Sequence, residues 1–360
     1  MFNCSDDVLG YHDDEVTLAQ KERSEMRDRR NANRDRLKRG LESNEKPAVR
    51  EFKSQGSYAM KTMTQHPEKD YDIDDGVYFA KEDLVGPRGG EMSALEARQM
   101  VRDAVDDGSF KKAPEVRTNC VRVLYDAGYH VDLPVYRKVV EKDAWEKEVS
   151  HQELASTDWK RSDARDVTSW FEAENNRQSP DTANGRQLRR VTREIKKFAK
   201  SRASWQGSIL SGFGITKLVT EHFSANAPRE DESLYDTMKA IRDRLNWNLV
   251  VQHPVTPNDT ITNGSDDPKA KFLRDKLSDA ISWLQPLFET DCTRKKALGC
   301  WDKVFATGYF SDRLEKEKQS ESQAANSFGG GILTSGLLKG AAVSAEAQRA
   351  VQKDGGGRYA

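Results

Sequence analysis

The chain has 360 residues, enough for two or so structural units with a sizeable core. Charged residues make up 32% and hydrophobic ones 36%, which predicts a highly soluble protein with long solvated helices. The 58 Lys and Arg nearly cancel the 59 Asp and Glu, so there is no global basic field and any electrostatic partner site must be local. No stretch reaches membrane-spanning length, and MFNCSDDVLG lacks the basic region and apolar core of a secretion signal, so a cytoplasmic protein away from membranes is expected. Cysteines at 4, 120, 292 and 300 suit neither a disulfide frame nor a zinc ribbon.

Residues 16–43 are strongly charged helix formers with Leu18, Met26, Leu37 and Leu41 as sparse apolar anchors, predicting one long exposed helix. Its basic excess between Lys21 and Arg39 is interleaved with Glu22, Glu25, Asp28 and Asp35 at helix-pairing spacings, which favours a salt-linked face over a nucleic-acid groove. A second helix is predicted from Glu45 to Phe52, delivering its end to a Gly-Ser turn.

That turn opens QGSYAMKTMTQHPEKDYDIDDG, residues 55–76. In an extended strand Asp72 and Asp74 point one way while Tyr71 and Ile73 pack inward. Two carboxylates on one face repel unless cations sit between them, and oxygen-only pairs suit Mg²⁺ carrying a nucleotide's phosphates. Gly56 lets backbone N–H groups approach phosphate oxygens, and Ser57 adds a hydroxyl; with Gln55 they form the candidate nucleotide grip. Asp70 shares the strand face, so an Asp70/Asp72 register also satisfies the pattern. An isolated D-x-D is usually no more than an acidic edge strand.

A third carboxylate argues for more. After a turn-rich loop (82–90) and a helix from Ser93 to Asp107 with a Ser93/Glu96 capping box, residues 119–125 and 129–136 are predicted as a β-hairpin. In YHVDLPVY, Val131, Leu133 and Val135 alternate with His130, Asp132 and Pro134, and an aspartate in so apolar a strand is costly unless paired or metal-bound.

From Lys138 onward a helical pattern is expected. Trp145, Trp159, Trp170 and Phe171 are read as core residues, and 174–185 as a crossing between lobes. Residues 187–202 are predicted as a basic helix with Leu188, Val191, Ile195 and Phe198 in one apolar stripe and lysines off it, followed by SILSGFGITKLVTEHF, a turn running into an apolar helix. A Pro-punctuated loop (253–264), a helix (267–288) and a closing helix (300–310) follow, then a Gly-, Ser- and Ala-rich tail ending GGGRYA.

G-S, D-I-D-D-G and H-V-D-L-P-V-Y together resemble the cGAS/DncV-like nucleotidyltransferases (CD-NTases), bacterial cyclic-oligonucleotide synthases of anti-phage signalling, and most closely their DncV-like branch. The resemblance implies an α+β fold: a polymerase-beta-like nucleotidyltransferase lobe with a small mixed sheet (1–185), a helical OAS/cGAS-like second lobe (186–318) and a flexible tail (319–360). It implies Asp72, Asp74 and Asp132 as catalytic metal ligands for Mg²⁺, with Mn²⁺ as a substitute. It also implies Lys196 and Ser211 as ligands of the donor triphosphate, with Lys197 and Ser208 as competitors. ATP is the first expected substrate and GTP the second. The resemblance further implies a downstream effector that reads the product, and conjugation through the tail at Ala360. The same three aspartates would serve an RNA-tailing enzyme or a linear-oligoadenylate synthase, and a catalytically silent nucleotide-binding module is the reading from another class.

Overall fold

The computed structural model describes residues 1–67, 71–126, 128–256 and 258–329, and divides into two compact units, Met1–Leu314 and Glu315–Ala360. Asp70 and the GGGRYA end lie outside the described residues.

The N-terminal part contains helices α1 (Ser5–Tyr11) and α2 (Gln20–Ser43), strand β1 (Glu51–Ser54) and the one-turn helix α3 (Gly56–Ala59). Then come β2 (Tyr71–Ala80), α4 (Ala94–Val105), and strands β3 (Glu115–Val116), β4 (Val121–Leu124), β5 (Tyr129–Leu133), β6 (Val135–Lys142), β7 (Glu148–Ala155) and β8 (Trp159–Arg161). The remainder is helical: α5 (Ala164–Gln178), α6 (Gln187–Ala199), α7 (Gly212–His222), α8 (Glu230–Trp247), α9 (Pro268–Leu284), α10 (Arg294–Phe305) and α11 (Tyr309–Gly329).

The sheet is mixed, as expected. β2 pairs antiparallel with β1 and parallel with both β5 and β6, and its register with them is unbroken from Tyr71↔Tyr129 to Ala80↔Lys138. Strands β5 and β6 are therefore two halves of one long strand, interrupted where Pro134 supplies no N–H but its carbonyl accepts from Val77 N at 2.8 Å. The capping box on α4 is present, with Ser93 Oγ accepting from Glu96 N and Glu96 accepting from Ser93 N.

Two large apolar cores result, beside a small third cluster of Met60, Phe171 and Leu188. One lies between the sheet and helices α2 and α4, around Leu37, Leu41, Ile73, Val101 and Val131. The other is built from the C-terminal helices around Ile195, Leu218, Met238 and Leu277, and it also takes in Cys4, Val8, Tyr11 and Val16. The first sixteen residues thus pack with the helical lobe, although α2 belongs to the catalytic one.

Several expectations are corrected. Residues 45–50 form no helix: Glu45 takes a left-handed φ of 52°, Pro47 follows, and Glu51–Ser54 joins the sheet beside β2. Residues 139–161 form the β6–β7–β8 antiparallel ribbon rather than helix. Its strands are charged on both faces towards the turn, so they lack the apolar alternation that marks a half-buried strand. Trp145 sits at that turn, 86% exposed, and is not core. The closing helix is broken at Ala306, φ 52°, into α10 and α11. Helix α11 also continues past residue 318 to Gly329, where tail was expected.

Helix α6 is buried nearly all round, not amphipathic with solvated lysines: Arg189, Arg190, Arg193, Glu194 and Lys196 are buried together with its apolar stripe. On α2 the basic side chains reach acids and rings on other elements, a tertiary bracing that the intrahelical spacing did not predict. Arg34 makes a bidentate pair with the fully buried Asp75 (2.6 and 2.5 Å), Arg36 pairs with Asp107 at 3.0 Å, and Arg29 lies 4.2 Å from the Tyr129 ring centre. The third acid of YDIDD, Asp75, on the opposite strand face from Asp72 and Asp74, therefore anchors the bracing helix. Truncating Arg34 to Ala strands the Asp75 charge, and we expect a loss of about 3–5 kcal/mol in denaturant unfolding. Arg34→Met with Asp75→Leu should recover most of it.

Candidate active site

Tyr71 and Ile73 are buried and Asp72 and Asp74 emerge on the other face, as strand alternation requires. Parallel pairing with β5 sets Asp74 opposite Asp132 and Asp72 opposite His130. Ligand atoms of Asp72, His130 and Asp132 all lie within 4.8 Å of one another. Asp74 reaches elsewhere, towards Gly56, where an added Cβ would meet Asp74 Oδ2 at 2.2 Å.

Two basic side chains stand beside these acids. Arg122, paired across the β4–β5 hairpin, binds Asp132 through two hydrogen bonds of 2.7 and 2.6 Å, and His130 Nε2 lies 3.3 Å from Asp72 Oδ1. Hydrogen bonding to Asp72 holds the His130 pKa above its ordinary value. Both residues lay within the sequence signal. His130 is two positions from Asp132 on a strand, and Arg122 becomes its partner once the hairpin register is known.

Burial, then the charges of Asp72 and Asp132, push Asp74 up from 3.8 to about 7. A raised carboxyl pKa means that the folded chain holds this proton more tightly than the unfolded one, so the associated stability is complete below 3.8 and disappears as pH rises through about 7. A divalent cation offsets the same repulsion. The increase in Tm on adding Mg²⁺ should therefore be larger at pH 8 than at pH 6, read by scanning calorimetry, and a pH-independent increase would count against Asp74 as a participant. Asp72, His130 and Asp132, whose ligand atoms lie within 4.8 Å of one another, would suit such an ion, with Asp74 in register opposite Asp132.

Asp72 and Asp74 open onto a cleft of about 1230 Å³ whose walls also include Gly56, Ser57, Thr62 and Lys196; Asp132, buried against Arg122, does not line it. Gly56 takes φ +60° at the start of α3. Across the cleft Lys196 Nζ donates to Thr62 Oγ1 at 2.9 Å; burial, with Lys200 and Arg193 nearby, lowers its pKa to about 7. The rim carries charges that sequence reasoning missed, among them Arg165, bidentate to Asp163, and an ion pair of 3.4 Å between Lys160 of β8 and Asp259 of the Pro-punctuated loop. Nothing in their local sequence separates these residues from ordinary surface charge.

Other candidates are placed differently. Gln55 is buried behind the strand, accepting from Tyr136 OH (3.2 Å) and donating to Tyr78 OH (2.8 Å), with the two rings stacked 4.6 Å apart. Its side chain supports β2 rather than lining the cleft. Ser211 caps α7 by accepting from Gly214 N at 3.2 Å; it is exposed and does not line the cleft, whereas the next two residues, Gly212 and Phe213, do. Lys197 is turned to Gln65 O, and neither it nor Ser208 lines the cleft.

A parallel pair of strands that sets Asp74 opposite Asp132 and beside the Gly-Ser turn, with a helical lobe across the cleft, is the arrangement of a nucleotidyltransferase fold. Residues 50–136 match the family model "Cyclic GMP-AMP synthase DncV-like, nucleotidyltransferase domain". The whole fold is similar to solved structures of 16–18% identity. Vibrio cholerae DncV cyclic AMP-GMP synthase in complex with nonhydrolyzable GTP matches at TM-score 0.65 and 18% identity, over 85% of this chain and 96% of that one. The same enzyme with the linear intermediate 5' pppA(3',5')pG matches at 0.61 and 17%, over 81% and 91%, and Escherichia coli DncV in a 3'-deoxy GTP bound form at 0.61 and 16%, over 81% and 92%. Residues 50–136 therefore carry a DncV-like nucleotidyltransferase domain, and the chain shares the fold of DncV. Among the described residues no helix is long and apolar enough to cross a membrane.

Proposed function

We propose that the chain is a metal-dependent cyclic-oligonucleotide synthase, joining NTPs into a cyclic di- or trinucleotide with release of pyrophosphate. The observation that carries this is the cleft in which Asp72 and Asp74 face Gly56, Ser57 and Lys196, together with the in-register pairing of Asp74 with Asp132 behind it. Mg²⁺, or Mn²⁺ in its place, would supply Lewis-acid activation of the acceptor hydroxyl and neutralise the leaving pyrophosphate. The chain's residues do the positioning. Asp72, Asp74 and Asp132 fix the ion and align the acceptor oxygen, the Gly56–Ser57 backbone cradles phosphate oxygens, and Lys196 counters triphosphate charge from the other lobe.

ATP and GTP are the proposed substrates, since DncV structures hold a linear pppApG intermediate or GTP analogues. Ring closure rests on the same likeness. Synthesis in the cytoplasm, a role in anti-phage defence, an effector that reads the product, and conjugation through the C-terminus at Ala360 complete the proposal. The rival reading as an RNA-tailing enzyme needs a long basic groove. Much of the basic face of α2 is instead tied to Asp75, Asp107 and aromatic rings.

The test is incubation of the full chain with four radiolabelled NTPs and Mg²⁺ or Mn²⁺, followed by phosphatase and mass spectrometry. A phosphatase-resistant, metal-dependent product is expected. Chains that phosphatase degrades would replace this reading with linear polymerisation, and metal-dependent NTP binding with no product would indicate a binding module.

A further inference from the structure

After the Gly-Ser turn the chain runs from Met60 to His66 without regular structure, so its carbonyls have no sheet partners. Three buried or half-buried cations of α6 take them. Arg189 Nε donates to Met60 O at 3.0 Å, Lys196 Nζ to Thr62 O at 3.3 Å, and Lys197 Nζ to Gln65 O at 3.3 Å. Among these contacts Thr62 is unusual in two ways. Its hydroxyl also accepts from Lys196 Nζ at 2.9 Å, and its own N–H donates to Ser57 O at 2.9 Å. The residue is fully buried. It therefore touches both halves of the phosphate grip, one from each lobe.

We propose that Thr62 is a positioning residue that sets the Lys196 ammonium at a fixed place over the Gly56–Ser57 turn, ready for a triphosphate. The inference rests on the proposed role of Lys196 as a phosphate ligand. A lysine side chain has four rotatable carbons, and an ammonium with only one weak carbonyl partner would have to be ordered when nucleotide arrives. Two acceptors on a residue tied by its backbone to Ser57 remove that requirement. The first phosphate oxygen to enter then completes the ammonium's coordination instead of recruiting it.

The test uses the full chain with Mg²⁺ and a nonhydrolysable NTP in calorimetry, and turnover of the hydrolysable NTP. Thr62→Val keeps shape and removes the hydroxyl acceptor; Thr62→Ser keeps the acceptor. We expect Val to weaken NTP binding and raise KM roughly 10- to 100-fold, the scale of a hydrogen bond to a charged group, with kcat little changed, and Ser to restore both. In a Lys196→Met background Thr62→Val should cost nothing further, because the interaction it removes is already gone. Unchanged KM in Thr62→Val, equal losses in Val and Ser, or an undiminished Val effect in the Lys196→Met background would each overturn the proposal. If the wild-type chain binds NTP but releases only linear products, the cyclic-synthase reading fails while the Thr62 comparison stands.

Discussion

Replacing Asp72 and Asp74 together by asparagine should lower NTP turnover on the order of 10³-fold or more, the scale found when preorganised charge is removed from a phosphoryl-transfer site. Stability should not fall with it. Asp74 carries a proton near neutrality because burial, Asp72 and Asp132 all oppose its charge, so at pH 8 the native chain bears a repulsion that the amides lack. We expect the metal-free Tm of the double variant at pH 8 to equal or exceed that of the wild type, and the Mg²⁺-induced increase to vanish. A variant that is inactive and also melts well below the wild type would show that these carboxylates are structural, Asp72 through its contact with His130, and would remove the case for a metal site.

Gly56→Ala should be nearly as damaging, for a different reason. At φ +60° an L-residue costs about 1–2 kcal/mol, and the new methyl would sit 2.2 Å from Asp74 Oδ2, which must move. Displacing Asp74, proposed as a metal ligand, by about an ångström is enough to predict a fall in kcat/KM of roughly 100-fold. Gly299→Ala is the control. Gly299 lies within α10 with nothing within 4 Å of an added Cβ, so the substitution should be neutral or raise Tm. If Gly56→Ala keeps wild-type kcat/KM, the turn does not hold phosphate.

The catalytic strand was legible because period-2 alternation is local: Tyr71 and Ile73 announce the buried face, and the acids follow. The contact of Asp132 with the pair is non-local, yet the hairpin pattern and the family resemblance both located it. What could not be read was whatever depends on partners distant in sequence. The β6–β7–β8 ribbon looks helical because its outer turns are charged on both faces, and only pairing with β2 marks where it begins. Lys196 reads as one more surface lysine until α7, Thr62 and Gly212 enclose it. Gln55 sits next to the grip in sequence, but its side chain goes to Tyr78 and Tyr136, a direction fixed by the β1–β2 pairing.

The chain begins in the helical core with α1, leaves to build the catalytic lobe from α2 to β8, and returns through α5 to α6. In connectivity the catalytic lobe is an insertion tethered at both ends to the body that faces it across the cleft. A tether at each end limits the excursions open to an inserted body far more than a single hinge does, since both exits must stay near their anchors. A fragment cut near residue 185 would then carry away α1 and leave an apolar face of the remaining helices open to water.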